Sequence, residues 1–330
     1  MRHSFRTLAA CTALVTASLA ISPAMAGGVT PPNLSAHHVL LISIDGMHAV
    51  DLQNYIASHP ASALAGLAAN GVIYPNALTT APSDSFPGLL ALVTGGTPKS
   101  ADVFYDVSYD RNLYAPGSNC TGAPGTMTHF DEADDKDMSR VDGGGTLGQP
   151  LTAIDVTQLP LRLKNGVCAP VYPHDVLKVN TIFEVIRRHQ GYTAWADKHP
   201  AYDLVNGPSG RGVIDLFTPE VNSNDTITGQ DTTKGFHSVQ RNDELKVQAV
   251  LNEIDGLNSI GAKRTKVPAV FGMNFQAVSV GQKLAKGNTS DPRDFHLIGG
   301  YADRSGRRRT AVFNLVSIMS TAPSGVSSPN

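Results

Sequence analysis

The chain of 330 residues contains 41% hydrophobic and 16% charged residues, a composition typical of a globular protein that is long enough for one large α/β domain. Its formal net charge of −2 becomes −4 if the two arginines of the N-terminal segment are removed, so the mature chain is expected to be weakly acidic. These values exclude a disordered chain and argue against a protein whose main partner is a nucleic-acid duplex.

Residues 1–26 have the pattern of an export signal. Two arginines precede an apolar run over residues 8–21, and Ala24-Met25-Ala26 follows it, with the two small residues of a cleavage site. The run is shorter than the roughly 20 residues that a transmembrane helix needs, and no later stretch is apolar enough to span a membrane. We therefore expect a signal peptide over 1–26, no membrane span, and a mature chain, 27–330, that is periplasmic or secreted.

The apolar run from Val39 to Ile44 is typical of a strand covered on both faces in a parallel sheet. Asp45 and Gly46 follow it directly, so the carboxylate of Asp45 is expected at the carboxyl end of that strand. In open α/β sheets this edge is where ligands bind. Asp45 is therefore the first candidate for a functional residue.

A second candidate lies at Ser85, which precedes a predicted buried helix over residues 86–94 that is closed by two glycines. We predict Ser85 as the N-cap of this helix. The free N–H groups and the positive end of the helix dipole, including the backbone N–H of Phe86, favour a bound phosphate or sulfate. A metal held by Asp45 would activate the serine hydroxyl as a nucleophile.

The elements around these candidates alternate between helix and strand. We predict helices over 48–56 and 60–69, a short strand over 72–74, and then the helix that follows Ser85. This alternation indicates an α/β fold with a doubly wound, mostly parallel sheet.

The motifs resemble the opening of the type I phosphodiesterase/nucleotide pyrophosphatase family of the alkaline phosphatase superfamily. The resemblance implies an alkaline phosphatase-like fold, a zinc ligand at Asp45, and a nucleophile at Ser85 that also contacts the metal. The family usually has threonine at the position of Ser85. At the position of Gly88 it usually has an asparagine that helps to hold a phosphate oxygen. The resemblance rests on three motifs: Ile44-Asp45-Gly46, Pro82-Ser83-x-Ser85-Phe86-Pro87 and Leu92-Val93-Thr94-Gly95.

Later metal ligands of the family are not recognisable. After a predicted strand over 267–275, the acid and histidine positions correspond to Val278 and Gln282, neither of which is a zinc ligand. The only late histidine, His296, matches no family motif, and the sequence becomes irregular from about residue 303. We therefore expect one incomplete alkaline phosphatase-like domain over 27–330, truncated relative to the family.

A long stretch over residues 99–175 lacks periodicity and is predicted to be a loop-rich insertion over the site. Cys120 and Cys168 lie within it and form an even pair in an exported chain, so a disulfide is expected, the alternative being two unrelated thiols. The acidic run 131–137 lacks the spacing of a calcium loop and is predicted to be a solvated face.

Order returns in the second half of the chain. A helix capped at 180–181 is followed by a strand over 192–196, a loop over 203–210 and a helix from 244 to 254 that Asn242-Asp243 would cap. The strand ends in Asp197, Lys198 and His199, which form either a surface turn or a second group of site residues on the same sheet edge as Asp45.

The resemblance implies metal-dependent hydrolysis of a phosphodiester or nucleotide pyrophosphate bond through a phosphoserine intermediate. The expected cofactor is a divalent metal, zinc in this family, and the expected partner is a small phosphate ester or nucleotide. Two alternatives remain open, an inactive homologue that only binds phosphate esters and a phosphomonoesterase. A sulfatase is disfavoured because no arginine follows Ser85-Phe86-Pro87 at the required distance.

Overall fold

The computed structural model describes residues 36–285, which belong almost entirely to the second of two compact units, His37–Asn330. The predicted signal peptide, His296 and the irregular tail from 303 lie outside these residues. The strands are β1 (Val39–Ile44), β2 (Val107–Asp110), β3 (Thr126–His129), β4 (Leu161–Lys164), β5 (Val167–Pro170), β6 (Ala194–Ala196), β7 (Asp215–Phe217) and β8 (Val270–Phe275). The helices are α1 (Ala49–Ser58), α2 (Ala63–Asn70), α3 (Ser85–Thr94), α4 (Pro98–Ala101), α5 (Ile182–Arg188), α6 (Phe236–Ile254) and α7 (Ala277–Ala285).

Four strands form a parallel sheet in the order β1-β8-β6-β7. β8 comes last along the chain but lies between β1 and β6, and it pairs with β1 along its whole length, from Val39 opposite Val270 to Ile44 opposite Phe275. Helices pack on this sheet, so the predicted α/β class with a parallel sheet is confirmed, and the arrangement agrees with an alkaline phosphatase-like fold.

The strands β6, β7 and β8 are buried, which explains why they are mainly apolar along their length. The prediction that Val39–Ile44 is covered on both faces is wrong: β1 is an edge strand of the described sheet that is only partly buried, and Val39 and Leu40 are exposed. Alternate side chains of each strand belong to two different cores. The core that contains α3 and α5 includes Leu41, Trp195, Leu216 and Val270, whereas the core that contains α6 includes Ile42, Ala196, Phe217, Phe271 and Met273.

Gly272 allows β1 and β8 to pair closely. It lies opposite Leu41 with a φ of 155°, and a Cβ atom at this position would come within 1.7 Å of the carbonyl oxygen of Leu41. Any other residue would therefore push the two strands apart.

The stretch over 99–175 contains two antiparallel hairpins, β2 with β3 and β4 with β5. A bridge between Tyr114 and Leu161 joins the two hairpins. The predicted disulfide is present between Cys120 and Cys168, whose Cα atoms are 5.8 Å apart. That this stretch covers the site stays a prediction.

The prediction that the acidic run 131–137 is a solvated face is wrong in part. Asp134 is 1% exposed and one of its carboxylate oxygens has no hydrogen-bond partner in the described part of the chain. Burial and then three neighbouring aspartates raise the pKa of Asp134 to about 8. Burial also raises the pKa of Asp135, to about 7, and of Glu220, whose carboxyl group lies against that of Asp135. A buried carboxyl pair therefore links the insertion to the loop after β7.

Three element predictions are wrong in their details. Residues 72–74 form no strand and are exposed. The loop predicted over 203–210 is in part a buried 3₁₀ helix, Pro200–Asn206. α6 begins eight residues before the predicted start at 244, and Asn242 and Asp243 do not cap it. Instead, Asn242 donates to the carbonyl of Glu220, and Asp243 accepts from the N–H groups that open α7.

Among the residues that the structure describes, no helix has both the length and the apolar character needed to cross a bilayer.

Candidate active site

The carboxyl ends of β1, β8 and β6 meet at one edge of the sheet, because the strands are parallel and in register. The N–H of Asp45 donates to the carbonyl of Phe275 at 2.9 Å, so Asp45 lies directly beside the end of β8. The N–H of Asp197 donates to the carbonyl of Phe217 at 3.0 Å. The structure thus brings Asp45 and the Asp197-Lys198-His199 stretch to the same edge.

The turn after Asp45 is braced by α7. Gly46 has a φ of 76°, and a Cβ atom there would lie 2.9 Å from the Cα of Ser279. The side-chain amide of Gln282 donates to the carbonyl oxygen of Gly46 at 2.8 Å, and Val278 is 2% exposed and packs beside Ile44. The two positions that correspond to family metal ligands therefore support the backbone of the turn.

Ser85 is the first residue of α3, and Asp84 rather than Ser85 is its N-cap, which corrects the prediction. Asp84 accepts a hydrogen bond from the N–H of Ser85 at 2.7 Å, so the side chain of Ser85 is free to point away from the helix end. Its hydroxyl donates to Oδ2 of Asp45 at 3.1 Å. Phe86, the next residue, contributes an N–H from the first helical turn, where no intrahelical acceptor is available.

Lys198 completes a triangle with these two residues. Its Nζ lies 3.3 Å from Oδ2 of Asp45 and 3.2 Å from Oγ of Ser85. The residue is only 9% exposed, and its ammonium lies 5.6 Å from the centre of the Tyr202 ring. A carboxylate, a hydroxyl and a largely desolvated ammonium are therefore in mutual contact.

Asp197 fixes the backbone from which Lys198 projects. It is fully buried and accepts hydrogen bonds from the indole of Trp195 at 2.8 Å, the N–H of Lys198 at 2.9 Å and the side-chain amide of Asn274 at 3.2 Å. Burial raises the pKa of Asp197 to about 6, although Lys246 and these hydrogen bonds oppose the shift. The surface-turn interpretation of this stretch is wrong, since all three of its residues are buried.

His199 and Tyr202 line the site from the 3₁₀ turn. Their rings meet edge to face at 4.8 Å, and Phe86 packs against Tyr202 at 5.1 Å. Burial and the charge of Lys198 lower the pKa of His199 well below its ordinary value, so its imidazole is neutral near pH 7. Burial, together with Asp197 and Asp45, raises the pKa of Tyr202 well above its ordinary value, which keeps its hydroxyl protonated.

The hydroxyl of Tyr202 is buried and has no hydrogen-bond partner among residues 36–285. Burial has the largest effect on the pKa of Tyr202 and raises it, whereas the nearby side chain of Ser85 lowers it. Sequence reasoning missed Tyr202 because its segment carries no motif, and only the 3₁₀ turn after Pro200 brings it to the site.

The sequence model of the type I phosphodiesterase/nucleotide pyrophosphatase family matches residues 39–225, more than half of the chain. The chain belongs to this family. The matched stretch runs from β1 past β7 and contains Asp45, Ser85 and Lys198. A search of curated proteins gave no match.

Membership in the phosphodiesterase/pyrophosphatase family supports hydrolysis of phosphoric esters in general terms and implies small-molecule phosphate esters as substrates. The family generally depends on divalent metals.

Within residues 36–285, no group of three or more histidine, cysteine, aspartate or glutamate side chains is arranged to hold a metal ion. At the site, Asp45 and Ser85 supply one carboxylate and one hydroxyl, whereas catalytic zinc usually has three protein ligands. The ammonium of Lys198 lies within hydrogen-bond distance of both donors and would repel a cation placed between them. The described donor set therefore does not fit a catalytic zinc ion.

Proposed function

We propose that this family member hydrolyses phosphodiester or nucleotide pyrophosphate bonds in small molecules, with Ser85 as the nucleophile and a phosphoserine-type intermediate. The observation that carries the proposal is the position of the Ser85 hydroxyl. It lies at the start of α3, donates to Asp45 at 3.1 Å and is 3.2 Å from the ammonium of Lys198.

In the first step, Oγ of Ser85 bonds to phosphorus while the bond from phosphorus to the leaving oxygen breaks. The hydroxyl proton moves along the existing hydrogen bond to Asp45, and the leaving oxygen takes a proton from solvent. In the second step, water attacks phosphorus and releases a proton to solvent, and Ser85 leaves and regains its proton from Asp45. A diester and water thus give a monoester and an alcohol.

Two kinds of donor support the negative charge on the phosphoryl oxygens. The N–H of Phe86 belongs to the first turn of α3, where the helix dipole is positive. The hydroxyl of Tyr202 is protonated, buried and unpartnered within the described part of the chain, so it has a donor to offer. Together these two donors would replace part of the contact that an asparagine at the position of Gly88 makes with the phosphate in other family members.

The family resemblance leads to the expectation of a zinc ion bound by Asp45 and Ser85. The described donors do not fit that ion, so neither the attack by Ser85 nor the hydrolysis of the phosphoserine is assigned to a metal. The same observation favours a second candidate function, a homologue that binds phosphate esters without turning them over.

We also propose that the mature chain is exported to the periplasm or secreted. The disulfide between Cys120 and Cys168 supports this location, because such bonds persist mainly in oxidising compartments.

The test is hydrolysis of bis-p-nitrophenyl phosphate and p-nitrophenyl phosphate by the wild type, Ser85→Ala and the control Ser83→Ala. Ser83 is exposed and two residues from the nucleophile. We expect Ser85→Ala to lose at least about 10³-fold in kcat on the diester, since a missing nucleophile cannot be replaced, and Ser83→Ala to match the wild type. A folded wild type without turnover would favour the binding-only homologue, and preference for the monoester would indicate a phosphomonoesterase.

A further inference from the structure

We propose that the ammonium of Lys198 is the catalytic cation of this site and occupies, beside Asp45 and Ser85, the place in which the family holds a divalent metal. The inference rests on the proposed role of Ser85 as nucleophile. It concerns how this chain stabilises negative charge when its described residues do not fit zinc.

The ammonium of Lys198 bridges the two oxygens of the site. Nζ of Lys198 contacts both Oδ2 of Asp45, at 3.3 Å, and Oγ of Ser85, at 3.2 Å, as a shared cation would. An ammonium has three N–H donors, and two are used by these contacts. In the described part of the chain no acceptor takes the third, which is therefore available for a phosphoryl oxygen.

Lys198 is held in place by several elements. Its N–H donates to Asp197 at 2.9 Å, and its carbonyl accepts from the N–H of Val221 at 2.8 Å. Its ammonium lies against the ring of Tyr202, 5.6 Å from the ring centre. A buried and braced lysine has already lost the side-chain freedom that makes a surface lysine a poor substitute for a metal.

The other residues around the site that could hold a metal or supply a charge have other contacts. Where the family supplies an acid and a histidine, Val278 is packed in an apolar cluster and Gln282 binds the backbone of Gly46. The nearby buried Lys246 is paired with Asp243 at 2.8 Å and donates to the carbonyl of Asn274, so it is not aimed at the serine. Of the two buried lysines at this edge, only Lys198 contacts the reacting oxygen.

The chemical role follows from these contacts. The ammonium stabilises negative charge on Oγ of Ser85 as its proton leaves, and its third N–H stabilises a phosphoryl oxygen as the new bond forms. The proton of Ser85 passes to Asp45, and no proton is transferred to or from Lys198. A fixed monovalent cation would support slower turnover than a divalent metal, but it would need no metal supply.

The experiment compares the wild type with Lys198→Met, which removes the charge and keeps the stem, and Lys198→Arg, which keeps the charge. Lys234→Met is the matched control, because Lys234 is also paired with an aspartate but is exposed. Each mature protein is assayed on bis-p-nitrophenyl phosphate with and without EDTA, and its metal content is measured. A readout independent of turnover is the rate at which diisopropyl fluorophosphate labels Ser85, followed by mass spectrometry.

We expect the wild type to keep its activity within about twofold in EDTA and to contain less than 0.1 equivalent of metal, on the order expected for a site with too few ligands. Lys198→Met should lose about 10²- to 10³-fold in both kcat and labelling rate, the usual effect of removing one preorganised charge. Lys198→Arg should recover part of this loss, and Lys234→Met should match the wild type.

Stoichiometric metal with loss of activity in EDTA would overturn the inference, and so would unchanged labelling of Ser85 in Lys198→Met. If Lys198→Met does not fold, the metal content and EDTA response of the wild type still decide the question. Failure of the proposed function is distinct: Ser85 would then remain unlabelled in the wild type, or Ser85→Ala would keep its turnover.

Discussion

Tyr202 lies in the site although no sequence motif marks it. Its ring is fully buried between Phe86 and His199, yet its hydroxyl has no hydrogen-bond partner within residues 36–285. A buried hydroxyl without a partner is costly, and such groups often mark a place where a ligand completes the bonding.

We expect Tyr202→Phe to lower kcat on bis-p-nitrophenyl phosphate by roughly 10-fold, the effect of one lost donor, with little change in KM. The variant should be as stable as the wild type or slightly more stable, because phenylalanine keeps the ring and removes an unsatisfied polar group. Steady-state kinetics and thermal unfolding test both parts. A stability loss of more than about 1 kcal/mol would show that the hydroxyl has a structural partner.

At the residue scale, Asp45, Ser85 and Lys198 could be located from sequence because each follows a recognisable strand or precedes a recognisable helix. Their mutual distances could not, since they depend on the insertion of β8 between β1 and β6. The burial of Asp197 was also beyond the sequence, because a charged stretch before a proline has the same pattern as a surface turn.

At the scale of elements, β1, α3 and the strand before Asp197 were predictable because their apolar runs are continuous and end in clear stop signals. The start of α6 was not. Asn242 and Asp243 have the residue types of an N-cap, but tertiary contacts use them: Asp243 pairs with the buried Lys246 and holds the first N–H groups of α7. Local cap preference gave way to burial.

The buried carboxyl group of Asp134 in the insertion carries a pH prediction. Asp134 has a pKa of about 8 in the folded chain against an ordinary value of 3.8, so the folded state binds its proton more tightly than the unfolded state. Its contribution is therefore fully present at low pH and is lost as the pH rises from about 4 to about 8. The free energy of unfolding should fall across this window.

We expect Asp134→Asn to remove part of this dependence, because the amide stays neutral at every pH. Its Tm should exceed that of the wild type by roughly 2–4 °C at pH 8.5, equivalent to about 1 kcal/mol, and by less at pH 5. Asp137→Asn, in the same run but exposed, is the control. A Tm gain for Asp134→Asn that is equal at both pH values would contradict the assignment of a protonated Asp134.

At the scale of the whole molecule, the site depends on parts of the chain that are far apart. The family match covers 39–225, but β8 and α7 lie beyond it and are still required, because β8 separates β1 from β6 and α7 braces the turn after Asp45. The fold class and the family were evident from the first hundred residues. The loss of metal ligands was suggested by Val278 and Gln282, whereas the contact between Lys198 and Ser85 emerged only from the structure.

The residue that is covalently modified during turnover decides whether Ser85 is the nucleophile. The protein is mixed with bis-p-nitrophenyl phosphate, quenched in acid within the first turnovers and digested, and its peptides are examined by mass spectrometry. If Ser85 is the nucleophile, the phosphoryl group of the substrate is found on Ser85 and is absent from Ser85→Ala. Turnover without modification of Ser85, or modification of another residue, would contradict it.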